Sequence, residues 1–232
     1  AGRMGAGYVT LVSTSSVTAS ATVVAPEILS RVVPGEVLGP EALDGAEGAG
    51  CLALGPGIGT GGPQRALCER ALLEVDRPLV LDADALNVLA ENVRPLVARQ
   101  SPAVLTPHPA ELARLLGWPT KDVVKDRLAA ASRAASGLGC VVVAKGHRTV
   151  VTDGDRSVVV PTGGAELATA GTGDVLPGAV AALLAAGVDP FDAAWCAAYV
   201  HGLAGSLAGP GALAPDVAEA LGKARARFTL GS

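Results

Sequence analysis

Along this chain, short runs of consecutive apolar residues alternate with longer stretches whose apolar positions recur every three or four residues. Runs at 8–12, 51–54, 78–82, 102–106 and 140–144 are apolar at nearly every position, the pattern of strands covered on both faces of a parallel sheet. Glycine or proline flanks most of them. The helical spacing predicts helices over 63–75, 84–92, 109–116, 121–136, 174–186, 190–208 and 214–228. Such alternation builds βαβ units, so an α/β fold with a largely parallel sheet is expected. The stretch 34–50, rich in Gly, Glu and Pro, is a loop with room for a short turn. Thr149–Thr152 and Ser157–Val160 flank Asp153-Gly154-Asp155, which predicts an antiparallel hairpin closing one side of the sheet. No linker, repeat or low-complexity tract divides residues 1–232, so one domain is expected.

Composition narrows the partners. Half of the residues are hydrophobic but only 3% are aromatic, so the core must be packed with Ala, Val and Leu. A formal charge of −4 without a basic run argues against nucleic acid. No apolar run reaches the roughly 18 residues that a membrane span needs, and no secretory leader is apparent. A cytoplasmic location is expected. Cys51, Cys68, Cys140 and Cys196 are far apart in apolar stretches and form no CxxC pair; buried, reduced thiols are the simplest reading.

Five segments carry candidate chemistry. Ala170-Gly171-Thr172-Gly173-Asp174 stands where an apolar helix begins. Glycines there let backbone N–H groups converge at a helix N-terminus, a nest for a phosphate or a developing anion. Asp174 would lie in the first turn, as a functional carboxylate or as a complement to the helix dipole. Gly57, Gly59 and Gly62 satisfy G-x-G-x-x-G after strand 51–54, with Asp82 following 20 residues later, so a Rossmann dinucleotide site competes at this point. Asp82, Asp84 and Asn87 follow strand 78–82, where carboxylates can hold Mg²⁺ through water or contact ligand hydroxyls; Asp84 serves equally well as a helix cap. His108 lies between Pro107 and Pro109 after strand 102–106. Lys145, Gly146, His147, Arg148 and Thr149 follow strand 140–144 and offer a cation, a flexible backbone and a hydroxyl to nucleotide phosphates. Four of these segments follow strand ends and the fifth opens a helix, so one crevice could collect them.

Taken in order, GPGIG, DADALN, TPHPAE, KGHRT and LATAGTGDVLPG resemble the ADP/ATP-dependent NAD(P)H-hydrate dehydratases of the ribokinase-like superfamily. His201-Gly202-Leu203-Ala204-Gly205 and Pro215–Ala220 fit that family's closing helices. The resemblance implies a three-layer α/β/α fold with a mostly parallel central sheet. It also implies an activity: ADP (or ATP) with Mg²⁺ drives repair of hydrated NADH or NADPH by phosphorylating the substrate hydroxyl and eliminating phosphate. In that reading Asp174 is the general base, and Ala170, Gly171, Thr172 and Gly173 form the anion nest. Lys145 to Thr149, with Gly173, hold the nucleotide, while Gly57, Gly59, Asp82, Asn87 and His108 contact the hydrated dinucleotide. A homo-oligomer is expected, with fusion to or partnership with an NAD(P)H-hydrate epimerase. Two departures stand out. Gly163-Gly164-Ala165-Glu166 replaces a stretch in which the family carries asparagine, and the family's first strand and helix precede the segment at which this chain begins. A small-molecule kinase, an NAD(P)-dependent oxidoreductase using residues 55–82, and a silent nucleotide-binding module stay open as alternatives.

Overall fold

The computed structural model describes residues 1–228. β1 (Thr10–Ser13) and β2 (Leu29–Val32) pair in parallel across α1 (Ser15–Val24), forming a two-stranded sheet of their own. The main sheet follows chain order: β3 (Leu52–Leu54), β4 (Leu79–Leu81), β5 (Ala103–Leu105), β6 (Val141–Ala144), β7 (Val150–Thr152) and β8 (Ser157–Val159). β3 to β6 are parallel, and β7 and β8 complete the sheet as the expected antiparallel hairpin. Its turn is fixed by the Asp153 carboxylate, which accepts from the N–H groups of Asp155 and Arg156, and by Gly154 at φ +101°.

Strand pleating divides the core into two. Leu79, Leu81, Leu105 and Val142 face a layer built from α2 (Gly62–Glu74), α3 (Asp84–Leu89), α4 (Arg94–Ala98), α5 (Pro109–Leu116), α6 (Thr120–Lys125) and α7 (Arg127–Leu138). Val80, Val104, Val141, Val143 and Val151 face α8 (Thr172–Ala185), α9 (Pro190–Ala208) and α10 (Ala214–Ala226). The result is the three-layer α/β/α sandwich expected from the sequence. Alanines at 179, 182, 193, 194, 197, 204 and 224 are buried in that second layer, so the helices pack closely without aromatic filler. Of the four free cysteines, Cys68 and Cys140 are buried and the other two partly so. Desolvation pushes the Cys51 and Cys140 thiols up to about 12, which leaves them inert as nucleophiles. Among the described residues, no helix is long and apolar enough to cross a membrane.

Three local differences have physical causes. α1 was not expected, because its run of Ser, Thr and Val has poor helix propensity. Thr18, Ser20 and Thr22 donate their hydroxyls back to carbonyls one turn earlier, which satisfies them within the helix. The strand expected at 8–12 begins at Thr10, lies outside the main sheet and leaves Tyr8 87% exposed, so it is not covered on both faces. The helix expected at 121–136 breaks at Asp126, whose carboxylate caps α7 by accepting from the Ala129 N–H at 2.9 Å.

Candidate active site

The C-terminal ends of β3 to β6 meet the first turn of α8 at one edge of the main sheet. After β3 the chain turns sharply at Gly55, where an added Cβ would lie 1.7 Å from the Asp82 carbonyl oxygen, with φ at +140°. Only glycine fits so close an approach. Gly57 and Gly59 also have positive φ, and the Gly59 N–H donates to the Asp84 carboxylate at 2.8 Å. This pins the glycine turn to the end of β4. Between Asp82 and Asp84, Ala83 adopts φ +49°, strain of the kind found where surrounding structure fixes a functional turn.

Asp82 is fully buried, and one of its oxygens pairs with Lys145 Nζ at 2.7 Å. Its other oxygen has no hydrogen-bond partner, an unusual deficit for a buried carboxylate. Lys145 opens the loop after β6, its N–H held by the Pro107 carbonyl at 2.8 Å. A side chain added at Gly173 would start 3.8 Å from the same ammonium, so the cation lies between the end of β4 and the glycine turn that opens α8. Partial burial lifts the Asp174 carboxyl above its ordinary range; the Asp82 charge adds to this and Lys145 opposes it.

At the start of α8 some backbone donors are satisfied and others are not. Gly171 takes φ +84° and caps α8. The Thr172 and Asp174 N–H groups are used locally, by the Thr169 and Gly171 carbonyls. No bond is made by the N–H groups of Ala170, Gly171 or Gly173 among the described residues. Thr172, 1% exposed, turns its hydroxyl away to the Leu167 and Thr169 carbonyls, so its side chain shapes the turn from behind. Pro177 lies inside α8 and has no N–H to offer the Gly173 carbonyl.

The remaining predicted residues surround this centre. Gly146 and Arg148 have positive φ, and the Thr149 hydroxyl donates to the Gly146 carbonyl. His147 and Arg148 are exposed. His108 caps α5: its Nδ1 accepts from the Ala110 and Glu111 N–H groups, and Glu111 accepts from the His108 N–H in return. Its ring is still half exposed. Asn87 accepts from Arg114 at 2.6 Å. The Rossmann alternative fails on geometry: Asp84 occupies the Gly59 N–H, and Asp82 is sealed against Lys145 rather than free to meet a ribose.

The matching family model, described as NAD(P)H-hydrate dehydratase, covers residues 1–223. The chain belongs to the NAD(P)H-hydrate dehydratase family. It is 44% identical over 186 residues to the ADP-dependent (S)-NAD(P)H-hydrate dehydratase of Neisseria meningitidis, a match covering 76% of this chain and 63% of that protein. The ADP/ATP-dependent NAD(P)H-hydrate dehydratase of Bacillus subtilis, co-crystallised with ATP/Mg²⁺, superposes with a TM-score of 0.85 at 30% identity, over 98% of this chain and 84% of that one. A ribokinase-like superfamily protein of Enterococcus faecalis shares the fold, with a TM-score of 0.81 at 24% identity over 97% and 79% of the two chains. The chain spans between 30% and 63% of the length of the first curated relatives it matches.

Within this site, sequence reasoning missed one supporting side chain and gave a second, His201, no specific role. Arg127, on α7, donates to the His147 and Arg148 carbonyls and so holds the loop after β6 in its left-handed turn. Burial lowers its guanidinium below the usual range, and its Nε has no partner. Nothing in the local sequence marks it. His201, on α9, is 7% exposed and contacts the Thr172 carbonyl at 2.9 Å; its place among closely spaced glycines was the available signal.

Proposed function

We propose that this chain is the catalytic domain of an ADP-dependent (S)-NAD(P)H-hydrate dehydratase. The observation that carries the reading is the juxtaposition of Asp174, Lys145 and the unbonded N–H groups at Gly171 and Gly173. A basic carboxylate, a cation and an anion nest are what phosphorylation of an alcohol requires. Asp174 takes the proton of the substrate hydroxyl as its oxygen attacks the terminal phosphorus of ADP. The bond from phosphorus to the bridging oxygen breaks, and AMP leaves. Lys145 and the nest carry the negative charge of the moving phosphoryl group. The carbon that bears the phosphate lies beside the ring nitrogen, whose lone pair expels phosphate to give an iminium; loss of a proton from the neighbouring ring carbon to water then restores the reduced nicotinamide. Hydroxide could not leave so readily.

Lys145, Gly146, His147, Arg148 and Thr149, with Ala170 to Gly173, are assigned to the nucleotide. Gly57, Gly59, Asn87 and His108 are assigned to the hydrated dinucleotide, while Asp82, buried against Lys145, supports the site from beneath rather than touching it as the sequence suggested. No group of three or more metal-binding side chains exists among the described residues. Mg²⁺ fits as an ion held mainly by nucleotide phosphates and water, with the partly buried Asp174 carboxylate as a protein contact. When bound, it neutralises phosphate charge. Several curated relatives are named bifunctional NAD(P)H-hydrate repair enzymes, which supports a partner activity fused to or working beside this domain. The unpaired thiols accord with the cytoplasm.

Product stoichiometry tests the proposal. One AMP and one phosphate should appear for each reduced nicotinamide recovered. A small-molecule kinase would instead leave a stable phosphorylated product.

A further inference from the structure

The loop from Thr162 to Thr172, which delivers the chain into the anion nest, lies along the last turns of α9. The Thr162 hydroxyl donates to the Tyr199 carbonyl at 2.8 Å. At Gly202 an added Cβ would lie 2.4 Å from Thr162 Oγ1, and at Gly205 it would lie 2.7 Å from the Leu167 side chain. Ser206 donates to Glu166 at 3.0 Å. At the far end of this rail, His201 Nε2 sits 2.9 Å from the Thr172 carbonyl oxygen. A carbonyl can only accept, so Nε2 carries the proton. Burial pushes the basicity of the ring down, while the bond to Thr172 opposes this.

The Thr172 carbonyl and the Gly173 N–H belong to one planar trans peptide, in which the two groups point in opposite directions. Whatever fixes the carbonyl therefore aims the N–H. We propose that His201 is a positioning residue for the phosphoryl-transfer step, holding the Thr172–Gly173 peptide so that the Gly173 N–H points into the nest. The bond also polarises the peptide and strengthens the donor at its other end. His201 is itself almost fully buried, 7% exposed. This role rests on the dehydratase reading for its kinetics, though not for its geometry.

Replacement by glutamine keeps an N–H donor at the Nε2 position, asparagine withdraws it, and leucine removes it. With hydrated NADH and ADP saturating, His201→Leu should lower kcat by about 10- to 100-fold, the scale of a misplaced catalytic group, with little change in KM for the hydrate. His201→Gln should recover most of the lost kcat, and His201→Asn should resemble leucine. If the leucine variant does not fold, the glutamine and asparagine pair decides. A second readout is independent of turnover: the Gly173 amide proton shift on saturation with ADP, large in wild type and His201→Gln and small in His201→Asn. An idle wild type that still shows this pattern overturns the dehydratase reading and leaves the positioning role standing. Glutamine and asparagine variants alike in kcat and in the Gly173 shift overturn the positioning role.

Discussion

Lys145 Nζ lies 2.7 Å from one oxygen of the buried Asp82 carboxylate, and the other oxygen of that carboxylate is unbonded. The pair is thus half-finished. Lys145 keeps 18% of its side chain exposed toward the crevice, so it can meet a phosphate while Asp82 stays fixed beneath it. The end of β4 is tied in this way to both the loop after β6 and the start of α8.

Lys145→Ala removes the cation from both partners. A charge-assisted contact to phosphate is worth about 1.5–3 kcal/mol, so ADP affinity should fall by roughly 10- to 150-fold. The orphaned Asp82 should also lower stability by about 1–3 kcal/mol. Calorimetric titration with ADP and with the hydrated dinucleotide should show the nucleotide affected far more. Intact ADP binding in Lys145→Ala, with loss in Gly57→Val, would reverse the two subsites.

Asp174→Asn separates catalysis from folding. A positioned base contributes about 10²–10⁴ in rate, so turnover should fall by at least about 100-fold while ADP affinity holds or improves. The folded-state carboxyl titrates above its ordinary value, so the fold prefers the protonated form. Its charge therefore costs stability once the pH rises through the window between the unfolded and folded values. The asparagine variant should melt no lower than wild type at neutral pH and lose that advantage in acid below the ordinary carboxylate range. A carboxylate that only complements the helix dipole predicts the reverse: about 0.3–1 kcal/mol of lost stability and full activity.

His108 is separable from its cap. Asparagine is a strong N-cap residue, so His108→Asn should keep the start of α5 and the melting temperature while raising KM for the hydrate. His108→Ala should lose about 0.5–2 kcal/mol as well. An unchanged KM in the asparagine variant would leave His108 with capping alone.

Most of the sheet and its helices could be read from periodicity, because residues such as Leu79–Leu81 and Val141–Ala144 are uniformly apolar strands between glycine and proline. The candidate site could be read from the residues that follow strand ends, and the structure brings two of them, Asp82 and Lys145, into contact. What could not be read depended on tertiary partners. α1 is made of residues that disfavour helix, and Asp126 acts as a cap only because the chain turns there. Arg127 and His201 work through backbone carbonyls twenty or more residues away, and no spacing rule records such a contact.

Incubating the protein with hydrated NADH, with and without ADP, while following the absorbance of the reduced nicotinamide, tests the central claim most directly. The account predicts that absorbance returns only when ADP is present. It also predicts that Asp174→Asn, folded and binding ADP, stays idle. Recovery without any nucleoside phosphate, or wild-type recovery by folded Asp174→Asn, would contradict it.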